Sequence, residues 1–521
     1  MFQALSRIGR VVRVARILAR RDALVPHEYA DRAPPSLRFA ARLLGRPNAA
    51  EMARLPGERL AAALEEMGPS AIKLGQLLAT RPDILGSEIA RGLETLQDRL
   101  PPFPDAEART IVEAELGRPL DAIFGAFGPP VAAASIAQVH AAETTDDPPR
   151  HVAVKILRPG IEAEFARDFD AFRFAAGIAE RFSAEARRLR LSAVVETLAA
   201  SVALELDLRM EAAAASELGQ NTRNDDDFRV PALDWSRTSS RVFTSEWVEG
   251  VVLRDPDTLA AAGHDPARIA VMVVRSFLTQ ALRDGFFHAD MHPGNLFVDA
   301  EGSICAVDFG IMGRLEPAMR RFMAETLAGF LARDYMRVAQ VHFDYGFVPK
   351  THNVETFAQA LRAVGEPIFG RTARDVSMAR LLEQLFDTTR RFDMQLQPQL
   401  VMLQKTMVVV EGVARNLDPT FDIWEASRPI IETWMVDNLG PEARLRDAAD
   451  GLTSLGKLAQ NLPQLLRDTE AIAAQLADGG LRLHPDSVRG IAYSQLKRTR
   501  HVRVALWIAA GALGILALGL L

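Results

Sequence analysis

The run His288-Ala289-Asp290-Met291-His292-Pro293-Gly294-Asn295 is followed, thirteen residues on, by Asp308-Phe309-Gly310. A short apolar stretch, Ile304 to Val307, leads into the second motif. Asp290 is of the type that orients a nucleophilic hydroxyl or water, while Asn295 and Asp308 are of the type that holds metal ions bridging nucleotide phosphates. Either motif alone is weak, because short patterns recur by chance. Two in order, at this spacing, point to a phosphoryl-transfer site taking ATP and Mg2+.

Such a site needs a lysine for the phosphates and an acid to hold it. His151-Val152-Ala153-Val154-Lys155-Ile156-Leu157 alternates as a strand should, and Val-Ala-Val-Lys is close to the Val-Ala-Ile-Lys of a kinase third strand. Lys155 is therefore the expected phosphate lysine. Phe127-Gly128-Pro129-Pro130 reads as a turn before a strand over 131–140, and Thr144 to Pro149 as a second turn. Leu204 to Ala214 reads as one helix carrying Glu205, Asp207 and Glu211. Glu205 and Glu211 fall about 120° apart on it and should reach different partners, whereas Asp207 and Glu211 share a face. Glu211 is assigned to Lys155, which leaves two acids more than a plain kinase needs. Arg241 to Gly250 reads as a strand running into a hinge, where backbone groups near Glu246 to Val248 would meet an adenine, with Ser245 behind it.

Two departures from a protein kinase stand out. The phosphate-covering position before Lys155 holds Ala132, Ala133, Ala134, Ser135, Ile136 and Ala137 in place of Gly-x-Gly-x-x-Gly, and Cβ atoms there restrict the backbone. After Gly310 the chain enters a helical pattern from Leu315, leaving no room for a long activation loop or an Ala-Pro-Glu. The surface that holds a peptide is then missing.

Residues 51 to about 100 read as helical, with Leu60, Leu64, Met67 and Ile72 on an amphipathic spacing. Lys73 and Gln76 share a face of this block, which by itself is more often solvated surface than site. Leu100-Pro101-Pro102-Phe103-Pro104 closes it.

At the far end, Val504 to Leu521 carries no charge. As a helix it is about 27 Å long, near the roughly 30 Å of a bilayer core. Lys497, Arg498, Arg500 and Arg503 precede it, so the positive-inside bias keeps the body in the cytoplasm. A buried core helix is the alternative. Gly511, Gly514 and Gly519 leave a homodimer open. The N-terminus is basic, with Arg7, Arg10, Arg13, Arg16, Arg20 and Arg21 before the first acid, Asp22. A helix on an anionic membrane, a presequence and a docked basic helix all fit it.

These motifs together resemble the UbiB family of atypical kinase-like ATPases, associated with ubiquinone biosynthesis. The resemblance spans roughly residues 50 to 330: Lys73-Leu74-Gly75-Gln76 for the family's Lys-x-Gly-Gln, the alanine-rich loop at Ala132 to Ser135, Lys155, Glu205-Leu206-Asp207 for Glu-x-Asp, Glu211, and the two metal motifs. It implies an α+β, protein-kinase-like two-lobed fold with a helical extension over the active site, so that Lys73 and Gln76 face the nucleotide and Glu205 partners Lys73. It adds a cofactor-binding role for Ala132, Ala133, Ala134, Ser135, Glu205 and Asp207. The expected order is a basic segment over 1–50, the extension over 51–120, an N-lobe over 121–250, a C-lobe over 251–430, a helical region over 431–503 and a membrane helix over 504–521. Expected partners are a membrane lipid or quinone precursor and other ubiquinone-biosynthetic enzymes, at the inner membrane with the catalytic body in the cytoplasm.

The bulk composition constrains less. A chain of 521 residues exceeds one compact core. A net charge of -6 gives no reason to expect nucleic acid. The single Cys305 excludes a disulfide framework or a cysteine-cluster metal site, and its apolar setting reads as a buried strand.

Overall fold

The computed structural model describes residues 2–24, 26–28, 35–79, 87–93, 96, 101–182, 190–369, 388, 391–394 and 398–439. The expected membrane helix over 504–521 and nearly all of the 431–503 region lie outside them. Among the described residues no helix is long and apolar enough to cross a membrane.

The chain opens with helices α1 (Phe2–Arg20), α2 (Pro35–Leu44), α3 (Ala49–Met52), α4 (Pro56–Met67), α5 (Pro69–Ala79) and α6 (Ser87–Leu93). Helix α1 is docked, with Ile17 and Ala19 buried and Arg10 ion-paired to Asp168. Glycines let α4, α5 and α6 pack closely. A Cβ on Gly92 would lie 2.4 Å from the Gly57 backbone, and one on Gly75 would meet Leu96 and Leu64 at 2.4 and 2.6 Å. Gly75 of the Lys-x-Gly-Gln run thus has a packing reason: any side chain would push α5 off the core formed by Leu64, Ala71, Leu93 and Leu96.

Next come α7 (Asp105–Leu116), β1 (Phe124–Ala133), β2 (Ala137–Thr144), β3 (His151–Leu157), α8 (Ile161–Phe182), α9 (Leu191–Glu205), α10 (Leu208–Asn221), β4 (Phe228–Arg229) and β5 (Val242–Glu246). Strands β1, β2, β3 and β5 form one antiparallel sheet in that order. Val152, Val154 and Ile156 share a core with Ala108, Ile111 and Val112 of α7. Because side chains alternate along a strand, Lys155 is sent to the opposite face.

Two local expectations are corrected. The strand does not begin after a turn at 127–130. Instead β1 runs through Gly128-Pro129-Pro130, with register irregularities between Phe127 and Ala132. As the edge strand, β1 tolerates prolines that cannot donate to a ladder. The reversal falls in the alanines, where Ala134 N–H donates to Ala137 O at 2.8 Å. Nor is Leu204 to Ala214 one helix: α9 stops at Glu205 and α10 starts at Leu208. Asp207 is the N-cap, its carboxylate accepting from Arg209 N–H at 3.1 Å. An aspartate competes for backbone donors and favours a helix start over an interior.

The remainder holds β6 (Val251–Val252), α11 (Pro256–Ala261), α12 (Pro266–Thr279), β7 (Phe286–His288), β8 (Leu296–Val298), β9 (Ile304–Ala306), β10 (Met312–Arg314), α13 (Pro317–Leu331), α14 (Tyr335–Asp344), α15 (Val354–Phe369), α16 (Pro398–Leu417) and α17 (Ile423–Leu439). Its core joins Val273 and Phe277 of α12 to Phe287, Met291, Val298, Ala306, Val410 and Ala414. Two short pairings carry the motifs: β7 with β10, and β8 with β9. Gly313 is required at the first, since a Cβ would sit 2.1 Å from the Phe287 ring. The chain passes from Gly310 through β10 into α13 with no long intervening loop.

Candidate active site

Lys155 leaves the middle of β3 and donates from Nζ to Glu211 Oε1 and Oε2 at 2.8 and 2.9 Å and to Asp308 Oδ1 at 3.0 Å. Glu211 sits in the first turn of α10, set there by the Asp207 cap. Burial works against a charged Lys155, yet the Asp308 and Glu211 carboxylates outweigh it and hold the ammonium above its ordinary range. The Lys155 charge holds Asp308 well below the usual carboxylate range, against burial. Burial pushes Glu211 up, with Lys155 opposing. One lysine therefore pairs with two acids.

Asp308 adopts a left-handed backbone with φ of 64°, a conformation that aspartate tolerates better than most residues. Its side chain stays 48% accessible although Lys155 is only 16% accessible, so the carboxylate is paired on one side and open on the other.

Asp290 and Asn295 are fixed by short bonds to main chain. His288 donates from Nε2 to Val307 O at 3.2 Å and accepts at Nδ1 from Asp290 N–H at 3.1 Å. Both bonds require the neutral imidazole with its proton on Nε2. Burial holds its pKa below the ordinary value, in agreement. The ring also meets Phe309 edge-on at 5.7 Å. Asn295 donates from Nδ2 to Asp290 O at 3.1 Å, which leaves Oδ1 as a ligand atom. Val307 N–H donates to Asn295 O at 2.9 Å, tying the asparagine to the strand before Asp308. Two buried polar groups support this loop from behind: Gln280 Oε1 accepts from His288 N–H at 3.1 Å, and Thr406 Oγ1 donates to Ala289 O at 3.0 Å.

The oxygen donors fit a hard divalent cation. A carboxylate open on one side and an amide oxygen left over by its own hydrogen bond are the ligands Mg2+ takes, usually alongside water and phosphate oxygens. Among the described residues, Asp22, His27 and Glu28 form a further acid–histidine group, which surrounds the buried Arg59 guanidinium as a structural ion cluster.

From the extension, Lys73 lies buried on α5 with Nζ 2.6 Å from Glu205 Oε2. It is close enough to favour ionised Asp308 and Glu211. Gln76 follows one turn later on α5 and is half-buried. Asp207 is not turned toward Lys155: both its carboxylate oxygens are taken by the Arg209 guanidinium, at 2.9 and 2.7 Å. Ala132 and Ala133 end β1, and Ala134 and buried Ser135 form the turn above.

At the hinge, the Glu246 carboxylate accepts from Arg229 Nη1 and Ala232 N–H, both at 3.0 Å. It is a structural link to the segment after β4, and its main-chain N–H is taken as well, donating to Ala232 O at 2.7 Å. Val248 follows, with no backbone hydrogen bond among the described residues. Cys305 is fully buried in β9, its thiol pushed up to about 12 by burial, and is inert.

Sequence reasoning left His288, Gln280 and Thr406 without roles. His288 stood in the quoted motif, but its two bonds go to main chain, which no side-chain pattern encodes. Gln280 stands eight residues before His288 and Thr406 lies 117 residues beyond Ala289, and neither belongs to a motif.

Comparison with known proteins bears on the family. Residues 95–342 match the ABC1 atypical kinase-like domain, and residues 361–422 match the UbiB helical domain. A relative named "Probable protein kinase UbiB" from Marinobacter nauticus is 43% identical over 417 residues, covering 79% of this chain and 76% of its own length. Its namesake from Xanthomonas axonopodis pv. citri is 40% identical over 471 residues, covering 88% and 83%. Among solved structures, the complex of Rv3197 with erythromycin from Mycobacterium tuberculosis aligns with a TM-score of 0.50 at 24% identity, covering 70% of this chain and 93% of that one, a likeness of fold. The kinase-like fold, the paired Lys155 and Glu211, and these relatives lead to one conclusion: the chain belongs to the UbiB family of atypical kinases.

Proposed function

We propose that this chain is a Mg-ATP-dependent ATPase or small-molecule kinase that supports ubiquinone biosynthesis, coupling ATP use to the handling of lipid-like quinone precursors. Residues 504–521 would anchor it in the inner membrane with its catalytic body in the cytoplasm. The observation that carries the reading is the Lys73–Glu205 ion pair beside the Lys155, Glu211 and Asp308 cluster. A lysine from the extension occupies the charged side of the cleft, and the chain after Gly310 offers no long segment for a peptide.

Lys155, aimed by Glu211, would bind nucleotide phosphates, and arriving phosphates would compete with Asp308 for its ammonium. Asn295 Oδ1 and the Asp308 carboxylate would hold Mg2+, which neutralises charge building on the phosphates. Asp290, set by the His288 and Asn295 bonds, would orient the attacking water or lipid-derived hydroxyl. Main-chain groups around Val248 would meet the adenine, and the alanine turn would cover the phosphates.

The test is steady-state ATP turnover by the purified full chain, alone and with anionic vesicles and a ubiquinone-precursor phenol. Stimulation by both is expected. Turnover indifferent to both additions would remove the lipid coupling, and absence of turnover throughout would remove the enzyme reading. A nucleotide-dependent scaffold for ubiquinone-biosynthetic enzymes is the second reading, favoured by the Asp308 carboxylate already being paired to Lys155. It requires that Asp290→Ala still restore ubiquinone in a deficient cell.

A further inference from the structure

The alanine turn above Lys155 is held by a residue that the site as described does not use. Arg158 follows the end of β3, three residues beyond Lys155. Its main-chain N–H donates to Ile136 O at 2.8 Å. Its guanidinium donates to Ala134 O from Nε and Nη2, at 3.1 and 2.9 Å. The same residue thus grips the turn at two of its residues. Nη2 also donates to Pro101 O at 2.9 Å, and the guanidinium lies 5.8 Å from the centre of the Phe103 ring. Pro101 and Phe103 belong to the linker between the Lys73-bearing extension and the sheet. A second bond joins the same two parts: Phe103 N–H donates to the buried Gln138 Oε1 at 2.9 Å.

We propose that Arg158 is a positioning residue that sets the height of the alanine turn over the nucleotide phosphates and couples it to the linker from the extension. The inference rests on the nucleotide reading above. A planar guanidinium suits this task, because its donors diverge in one rigid fork and reach two carbonyls at once. Lysine, with one nitrogen on a flexible stem, would not hold both in the same geometry. Adenosine has no phosphates and meets only the hinge, so a residue acting on the turn alone should leave its binding unchanged. A residue that merely holds the sheet together should disturb both ligands.

The experiment measures equilibrium binding of Mg-ATP and of adenosine to the full chain, by intrinsic fluorescence, for wild type, Arg158→Gln and Arg158→Lys. Arg158→Gln should weaken Mg-ATP about tenfold, on the order of one charge-assisted hydrogen bond, while adenosine stays within about twofold. Arg158→Lys should show the same split at smaller size, and it carries the test if the glutamine variant does not fold. Unchanged Mg-ATP binding, or equal loss for both ligands, would overturn the proposal. Wild-type protein that binds no Mg-ATP overturns the nucleotide reading itself, a result seen before any variant is made.

Discussion

The two sides of the cleft are built by different means. On the sheet and extension side, long charged side chains make the contacts: Lys155 with Glu211 and, reaching over from β3, with Asp308, and Lys73 with Glu205. On the opposite side, His288 and Asn295 meet main chain through neutral, short-range bonds. Ion pairs can exchange partners when a phosphate arrives, because attraction between charges tolerates changes of angle and distance. An imidazole clamped between Val307 O and Asp290 N–H has one working geometry. The charged side is thus the responsive one, and the neutral side is preset.

The largest expected effect breaks the charged side at its open end. Asp308→Asn should lower ATP turnover by at least about a thousandfold, since positioning and charge neutralisation are nearly all the protein contributes to this chemistry. Turnover of the purified variant within tenfold of wild type would remove Asp308 from the site. Next, Lys73→Met should cost about 3 kcal/mol of unfolding free energy, because it leaves the largely buried Glu205 carboxylate without its ion-pair partner. Adding Glu205→Leu should recover part of that loss. Denaturant unfolding of the single and double variants checks this, and additive losses would mean that the pair is not coupled.

The smallest effect separates the two sides by pH. Burial depresses the His288 pKa from its ordinary 6.5, so the unfolded chain binds the proton more readily than the folded one. Stability from the neutral ring is therefore present above 6.5 and is lost as pH falls through the folded value. Asp308 is also depressed, but from 3.8, so its pairing with Lys155 persists through weak acid and is lost only below the carboxylate range. The denaturant midpoint of wild type should therefore start to fall below pH 6.5, and His288→Phe should flatten that slope. The same slope in both proteins would assign the acid sensitivity elsewhere.

Much of the site's layout was legible because each motif is local. Asp290 to Asn295 and Asp308 to Gly310 sit in short runs, and the alternation Val152, Val154, Ile156 shows that Lys155 faces away from the core. The two misread elements failed for the same reason. Proline in β1 is a turn signal only until the strand is known to lie at a sheet edge. Leu204 to Ala214 has helical composition throughout, and the break depends on Asp207 using its carboxylate as a cap.

What the sequence by itself determined is the inventory: a strand lysine and its glutamate, an aspartate and an asparagine five residues apart ahead of Asp308-Phe309-Gly310, and the Lys-x-Gly-Gln run that carries the family resemblance. Tertiary structure alone decided the partners that no motif assigned. It gave Lys155 a second carboxylate, Asp308, across 153 residues of chain, turned Asp207 to Arg209, made Gly75 a packing requirement, and stretched Arg158 between Ala134 and Pro101. Residue type and spacing specify what a side chain can do within a few turns of chain. Which distant carbonyl or carboxylate it meets depends on how helices and sheet pack, and no local pattern records that.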